Sequence, residues 1–373
     1  GEACVQLRTE VDNIINDASH NIITEVIYKD FLKDERRPFE KVQAGKTRLV
    51  SGAPLDYCIA VRMYFLDFTA QFMRTRIFNG SAVGVNPYSQ EWRLILRKLA
   101  RHSNIIAGDF SGFDTSHSCD IFRKICEKIS DWYGDGEVNR RIRRTLFTSL
   151  FTSKHINGMI VYLWYGSLPS GHPLTTIVNT LINLIIIAYS WIVIHDGDIS
   201  TLFYFDDHVE CICYGDDNVI SVSDEAIDLF NQITITGVLK EIGYIYTDES
   251  KTGELVKCRD ITSIEFLKRR FLRSDDLVLA PLRLDVILEM PYWIRSTTNQ
   301  DSQTLENFEN AIRELSLHEQ ATYDEWAPKM ISILFKKMGQ NYELVNYSKK
   351  RNQTLTEMQD IFSRIATDDS ALD

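Results

Sequence analysis

The stretch 208–223, HVECICYGDDNVISVS, decides how this chain is read. Two runs of strand-forming residues, VECICY and VISV, flank Gly215, Asp216, Asp217 and Asn218, residue types that tight turns demand. The pattern predicts a hairpin with carboxylates at its tip. Upstream, 104–109 is a short apolar run ending in Asp109, and 118–131 follows with Ile121, Phe122, Ile125 and Ile129 on one helical side. If that strand and the hairpin share a sheet, Asp109, Asp216 and Asp217 converge, and such a cluster of like charges is costly without cations. Taken alone, Asp216 and Asp217 fit ordinary turn aspartates equally well.

Working outward, a long helix is expected after Pro173, another over about 225–242, and a second strand pair over roughly 264–272 and 277–280. The order resembles a β-α-β-β-α-β unit, so the class is α+β. From about 281 helical patterns dominate, including 305–317 and 327–338, and mark a separate helical lobe. The most apolar run, 177–194, is broken by Asn179, Thr180, Asn183 and Ser190, whereas a membrane span needs about 20 predominantly apolar residues. It reads as a buried helix, and no transmembrane segment is expected.

A formal charge of -11 argues against a protein that coats nucleic acid by bulk electrostatics, although a local basic channel can coexist with an acidic exterior. The seven cysteines include no C-x-x-C pair, which suits reduced thiols in a cytosolic protein. At 373 residues with 44% hydrophobic content, two or three lobes are expected.

Several motifs then fall in one order. Tyr214, Gly215, Asp216 and Asp217 resemble the central metal-binding motif of viral RNA polymerases, and DFSGFD at 109–114 matches their first palm motif. PSGHPLTTIVN at 169–179 places Ser170, Gly171, Thr175 and Asn179 in the nucleotide-selecting motif. KDERRPFEKVQAGKTR at 33–48 is similar to the basic fingers motif, with Lys33, Arg37, Lys41, Lys46 and Arg48 in corresponding places, and FLKR at 266–269 resembles the primer-grip hairpin. On these residues, spanning 28–270, the chain is identified as a member of the RNA-dependent RNA polymerases of picorna-like positive-strand RNA viruses, with a dicistrovirus- or iflavirus-like source as one expectation.

The resemblance implies a right-hand architecture with a ferredoxin-like βαββαβ palm. Partial fingers would span 1–100, with the basic motif at 28–48. The palm would span 101–280 with a fingers insertion at about 131–165, and a helical thumb 281–373. It implies template-directed nucleotidyl transfer with two Mg²⁺ ions, for which Mn²⁺ can substitute. The metals would be held by Asp109, Asp216, Asp217 and the Phe110 carbonyl. Lys33, Arg37 and Arg48 would neutralise the β and γ phosphates, and Lys251, in TDESK at 247–251, would protonate the pyrophosphate. Asp114 and Asn179, helped by Ser170 and Thr175, would sense the ribose 2′-hydroxyl. Lys41, Lys46, Gly171, Lys268 and Arg269 would meet template and primer RNA, although Lys268, Arg269, Arg270 and Arg273 equally fit an exposed charged face. Implied partners are RNA, NTPs, a small viral protein primer and other replication proteins, in membrane-associated complexes of the host cytoplasm.

The pattern departs from the family in two places. Relatives carry a longer N-terminal region ahead of the basic motif, and Pro173 and Leu174 stand where many have small residues. Asn179 and Asn183, four apart on one helix, also fit polar groups that merely satisfy each other or the backbone. Gly45, Lys46 and Thr47 spell the end of a P-loop, but Glu40 occupies the position of its required glycine. A reverse transcriptase shares the aspartate hairpin, and a non-catalytic RNA-binding scaffold could keep the palm. No G-x-S-x-G or zinc-ligand spacing occurs.

Overall fold

The computed structural model describes residues 1–35, 37–249, 256–274, 277–294, 299–339 and 342–370, with the side chains of 366–370 left aside. At its centre is a four-stranded antiparallel sheet in the order Val209–Tyr214, Asp217–Val222, Asn104–Ser111, Ile245–Asp248. This is the ferredoxin-like order, with the first strand of the unit between the third and the fourth.

Both faces of the sheet are covered, which is why its strands read as nearly continuous apolar runs. Ile106, Phe110, Cys211, Cys213 and Ile220 pack toward the helices Cys119–Tyr133, Thr175–Ile194 and Gln232–Glu241. Ile105, Ala107, Ile212 and Val219 pack oppositely, against Trp92 and Ile95 of the helix Glu91–Leu99 and against Phe266 and Phe271. Thr175–Ile194 has the length and hydropathy to cross a bilayer, yet here Val178, Ile182, Ile187 and Trp191 are core residues.

The sequence reading needs three corrections here. The fourth palm strand is Ile245–Asp248, which pairs with 108–111; the expected strand over 264–272 is a tight turn closed by Phe266 and Arg269. The short pair Leu272–Ser274 and Leu277–Leu279 follows it. The helix expected over 225–242 begins at Gln232, because Asn231 caps it through the Ile233 and Thr234 amides while Thr234 returns a bond to the Asn231 amide.

A second sheet runs Leu49–Gly52, Ile27–Leu32, Thr152–Asn157, Ile160–Tyr165. Its parallel pairing of 27–29 with 154–156 carries the chain after the first palm helix back onto the N-terminal residues. Beyond the palm, helices Leu284–Glu289, Gln300–Leu315, Gln320–Met338 and Tyr347–Ser370 gather around a separate core of Phe308, Leu315, Tyr323, Ala327 and Leu334. All seven cysteines are free.

Candidate active site

The carboxylates meet at one end of the palm sheet. Tyr214 pairs with Asp217 across a two-residue turn, and Gly215 takes φ +62°, a left-handed conformation that glycine adopts without steric cost. Gly108 pairs with Asn218, so Asp109 on the neighbouring strand sits beside that turn. The turn is clamped from below by the apolar helix. Asn183 Nδ2 donates to the carbonyls of Gly215 and Asp216, both at 3.0 Å, and Thr180 Oγ1 accepts from the Gly215 amide at 2.9 Å. A relay continues behind it, with Tyr246 OH donating to Asn218 Oδ1 at 2.8 Å and Asn218 Nδ2 to Asn183 Oδ1 at 3.2 Å. Tyr246 reaches Asn218 only because residue 108 has no side chain; a Cβ there would lie 1.9 Å from the phenol.

Asn183 satisfies backbone carbonyls, one of the two alternatives its sequence context allowed, and those carbonyls belong to the aspartate turn. The pairing with Asn179 that the four-residue spacing allowed does not occur, since the two amides face different partners. Asn179 Nδ2 donates to Asp114 Oδ1, while Asn179 Oδ1 lies 3.0 Å from His117 Nε2, whose Nδ1 lies 3.0 Å from Tyr244 OH. Burial pushes the Asp114 carboxyl above its ordinary range, with the Asn179 bond opposing. The Asp216 carboxyl is also raised, first by the cost of desolvating it and then by the charges of Asp109 and Asp114. Its residue is nonetheless exposed, so the crowding comes from protein around an open edge rather than from enclosure.

Opposite this edge lies the basic motif. Arg48 donates through its planar fork to both oxygens of Glu35, and the Lys33 and Arg37 side chains stand 3.6 Å from the same carboxylate. The bond to Glu35, and the charges of Glu35 and Asp216, raise the Arg48 guanidinium above its ordinary range, so Arg48 lies within the field of the aspartate turn. Lys41, in the middle of the short helical turn Phe39–Gln43, and Lys46, beyond its end, are exposed. The loop at 169–175 is stitched to this region: Gly171 N donates to Ser51 O at 3.0 Å and Ser51 N to Ser170 Oγ at 3.1 Å. A Cβ on Gly171 would meet Ser51 O at 2.4 Å, so close backbone approach explains this glycine. Thr175 is buried, and its hydroxyl donates to Pro169 O at 2.6 Å, closing the loop from within.

Arg269 requires a correction. It is buried, with Nη1 donating to Ala280 O at 2.7 Å and Nη2 to Glu314 Oε1 at 2.7 Å, while Glu314 has no exposed surface. A guanidinium committed to the junction of palm and C-terminal helices cannot hold a primer backbone. Lys268 is exposed beside it, at the tip of a turn in which Leu267 and Lys268 both take positive φ. Lys251 lies outside the described residues.

One arrangement unforeseen from sequence is Ser153, His155 and Asp30, with Oγ to Nε2 at 2.8 Å and Nδ1 to Oδ1 at 3.0 Å. The spacing is that of an acyl-transfer triad, but Ser153 is wholly buried. No substrate reaches it, and the line instead ties neighbouring strands of the second sheet together.

Among the described residues, no three acidic, histidine or cysteine side chains already form a closed metal cage. The donor set nevertheless fits hard cations. Carboxylate and carbonyl oxygens line an open edge, where the charges of Asp109 and Asp114 act on Asp216 and a divalent ion would offset their repulsion.

Residues 3–338 match the family model described as viral RNA-dependent RNA polymerase. The chain is 41% identical over 335 residues to the replicase polyprotein of Cricket paralysis virus, covering 86% of this chain and 19% of that protein. It is likewise 41% identical over 335 residues to the replicase polyprotein of Acute bee paralysis virus, covering 87% of this chain and 18% of that protein. The chain thus spans less than a fifth of either relative. In fold it is similar to the Sicinivirus 3Dpol RNA dependent RNA polymerase, with a TM-score of 0.77 at 21% identity, over 95% of this chain and 71% of that one.

Proposed function

The chain belongs to the viral RNA-dependent RNA polymerase family, and from that premise we propose that it extends RNA by template-directed nucleotidyl transfer. The observation that carries this reading is the convergence of the 216–217 turn with Asp109 and Asp114, facing a basic motif whose Arg48 lies in the field of Asp216.

In this reading Asp109, Asp216 and Asp217, with the Phe110 carbonyl, hold two Mg²⁺ or Mn²⁺ ions, which supply neutralisation of phosphate charge and a more acidic 3′-hydroxyl. Asp114 and Asn179 receive the ribose of the incoming NTP, supported by Ser170 and Thr175. Lys33, Arg37 and Arg48 bind the triphosphate, and Arg48 exchanges Glu35 for phosphate oxygens as it does so. The primer 3′-hydroxyl gives up its proton to solvent as its oxygen bonds to the α-phosphorus, the bond from that phosphorus to the oxygen bridging to the β-phosphate breaks, and pyrophosphate leaves with a proton from Lys251. Lys41, Lys46, Gly171 and Lys268 contact RNA, where backbone charge and base stacking bind with little sequence preference. A protein primer and membrane-associated replication complexes fit the same reading.

The test is a self-priming RNA hairpin given one NTP at a time. Incorporation only of the NTP complementary to the template base supports the proposal. Incorporation of dTTP as readily as UTP favours a reverse transcriptase, and RNA binding without incorporation favours the scaffold.

A further inference from the structure

The hydrogen-bond line behind the ribose-sensing pair has a direction. An ionised Asp114 only accepts, so Asn179 must turn its amide nitrogen toward it and its oxygen away, toward His117. His117 Nε2 must then carry the hydrogen, and Nδ1, left as an acceptor, takes the proton of Tyr244 OH. Any reversal sets two acceptors face to face. Burial favours the same arrangement: it depresses His117 to about 4, keeping it neutral, and pushes the Tyr244 phenol up to about 12, keeping it a donor. The ring is also held mechanically, edge-on to Phe113 at 4.6 Å and to Phe122 at 5.5 Å.

We propose that His117 and Tyr244 are specificity-determining positioning residues: they lock the Asn179 amide so that its second N–H is presented to the ribose 2′-hydroxyl. This rests on the polymerase reading. A 2′-hydroxyl both donates and accepts, so a fixed donor on Asn179 beside the fixed acceptor on Asp114 reads it in one orientation. An unlocked amide spends part of its time with its oxygen toward Asp114 and loses that discrimination. Nucleotides without the 2′-hydroxyl do not use the contact and are indifferent to the lock.

The experiment measures kcat and KM for UTP and dUTP with the parent chain, His117→Leu, His117→Gln and Tyr244→Phe, each verified as folded by its thermal transition. Leucine keeps apolar bulk but loses the donor, whereas glutamine restores an N–H near the Nε2 position. His117→Leu should raise KM for UTP by about tenfold, the worth of one well-placed hydrogen bond, and leave KM for dUTP within about twofold. His117→Gln should recover most of the discrimination, and Tyr244→Phe, the mildest change to packing, should lose part of it. In ¹⁵N spectra His117 should be neutral with the hydrogen on Nε2. Equal rises in KM for UTP and dUTP, unchanged discrimination in a folded His117→Leu chain, or the opposite tautomer would overturn the inference. A parent chain that incorporates no nucleotide, with the expected tautomer present, would instead sink the polymerase reading and the ribose role with it.

Discussion

Replacing Asn183 tests how the aspartate turn is held. Its amide makes two donor bonds at 3.0 Å to the Gly215 and Asp216 carbonyls and accepts one from Asn218 at 3.2 Å, all in the buried palm. Asn183→Ala removes the two donations, each with a net value of about 1 kcal/mol, and strands the Asn218 donor at a further cost of about 1–2 kcal/mol. The expected loss is about 3 kcal/mol of stability, seen as a fall in the thermal midpoint of about 5 °C or more. The catalytic effect should be a separate one. With the turn released, the carboxylates lose their fixed spacing, so kcat should fall by about 10²-fold, the scale of a one-ångström misplacement, while KM for NTP changes little. Single-turnover extension with saturating NTP reads the first quantity and its NTP dependence the second. Asn183→Asp, nearly isosteric but unable to donate when ionised, should behave similarly. A folded Asn183→Ala chain with the parent midpoint and parent kcat would refute the clamp.

Three further outcomes follow from the same geometry. Arg269→Ala should destabilise the chain by about 3–5 kcal/mol, because Glu314 is left buried and unpaired; a loss of RNA affinity at unchanged stability would contradict the correction made to Arg269. Gly108→Ala drives a Cβ to 1.9 Å from the Tyr246 phenol and should cost about 1–3 kcal/mol by overpacking, measured by urea unfolding. His117 has a folded value of about 4 against an ordinary 6.5, so the unfolded chain binds the extra proton first. Its contribution is present above pH 6.5 and lost as pH falls toward 4, by about 3 kcal/mol at most, and His117→Gln should remove that part of the slope.

How much of this was legible in the sequence depended on whether the deciding partner was local. The 208–223 hairpin announced itself through strand formers around Gly215, and Asp109 through the apolar run that leads into it, although the strand continues to Ser111. Ile245–Asp248 did not, because a four-residue edge strand beside Gly243 offers too little periodicity to separate from a turn. The stretch before Gln232 holds Ala226, Ile227 and Phe230 and no glycine or proline, so it passed for helix; the Asn231 and Thr234 spacing was the available signal for where the helix starts. Arg269 looked like one charge among four, since its partner Glu314 lies 45 residues away on another lobe. Asn179 and Asn183 share a helix but serve the two halves of the site, and spacing alone could not assign them.

The most direct test of the central claim is primer extension on a short RNA hairpin with all four NTPs and Mg²⁺, comparing the parent chain with Asp216→Asn after both are shown to be folded. Asp216→Asn keeps the shape of the turn and removes one carboxylate charge from the edge that Asp109 and Asp217 share. The expected result is extension by the parent that disappears in Asp216→Asn. Extension that survives the substitution at the parent rate would contradict the assignment of this edge as the catalytic centre.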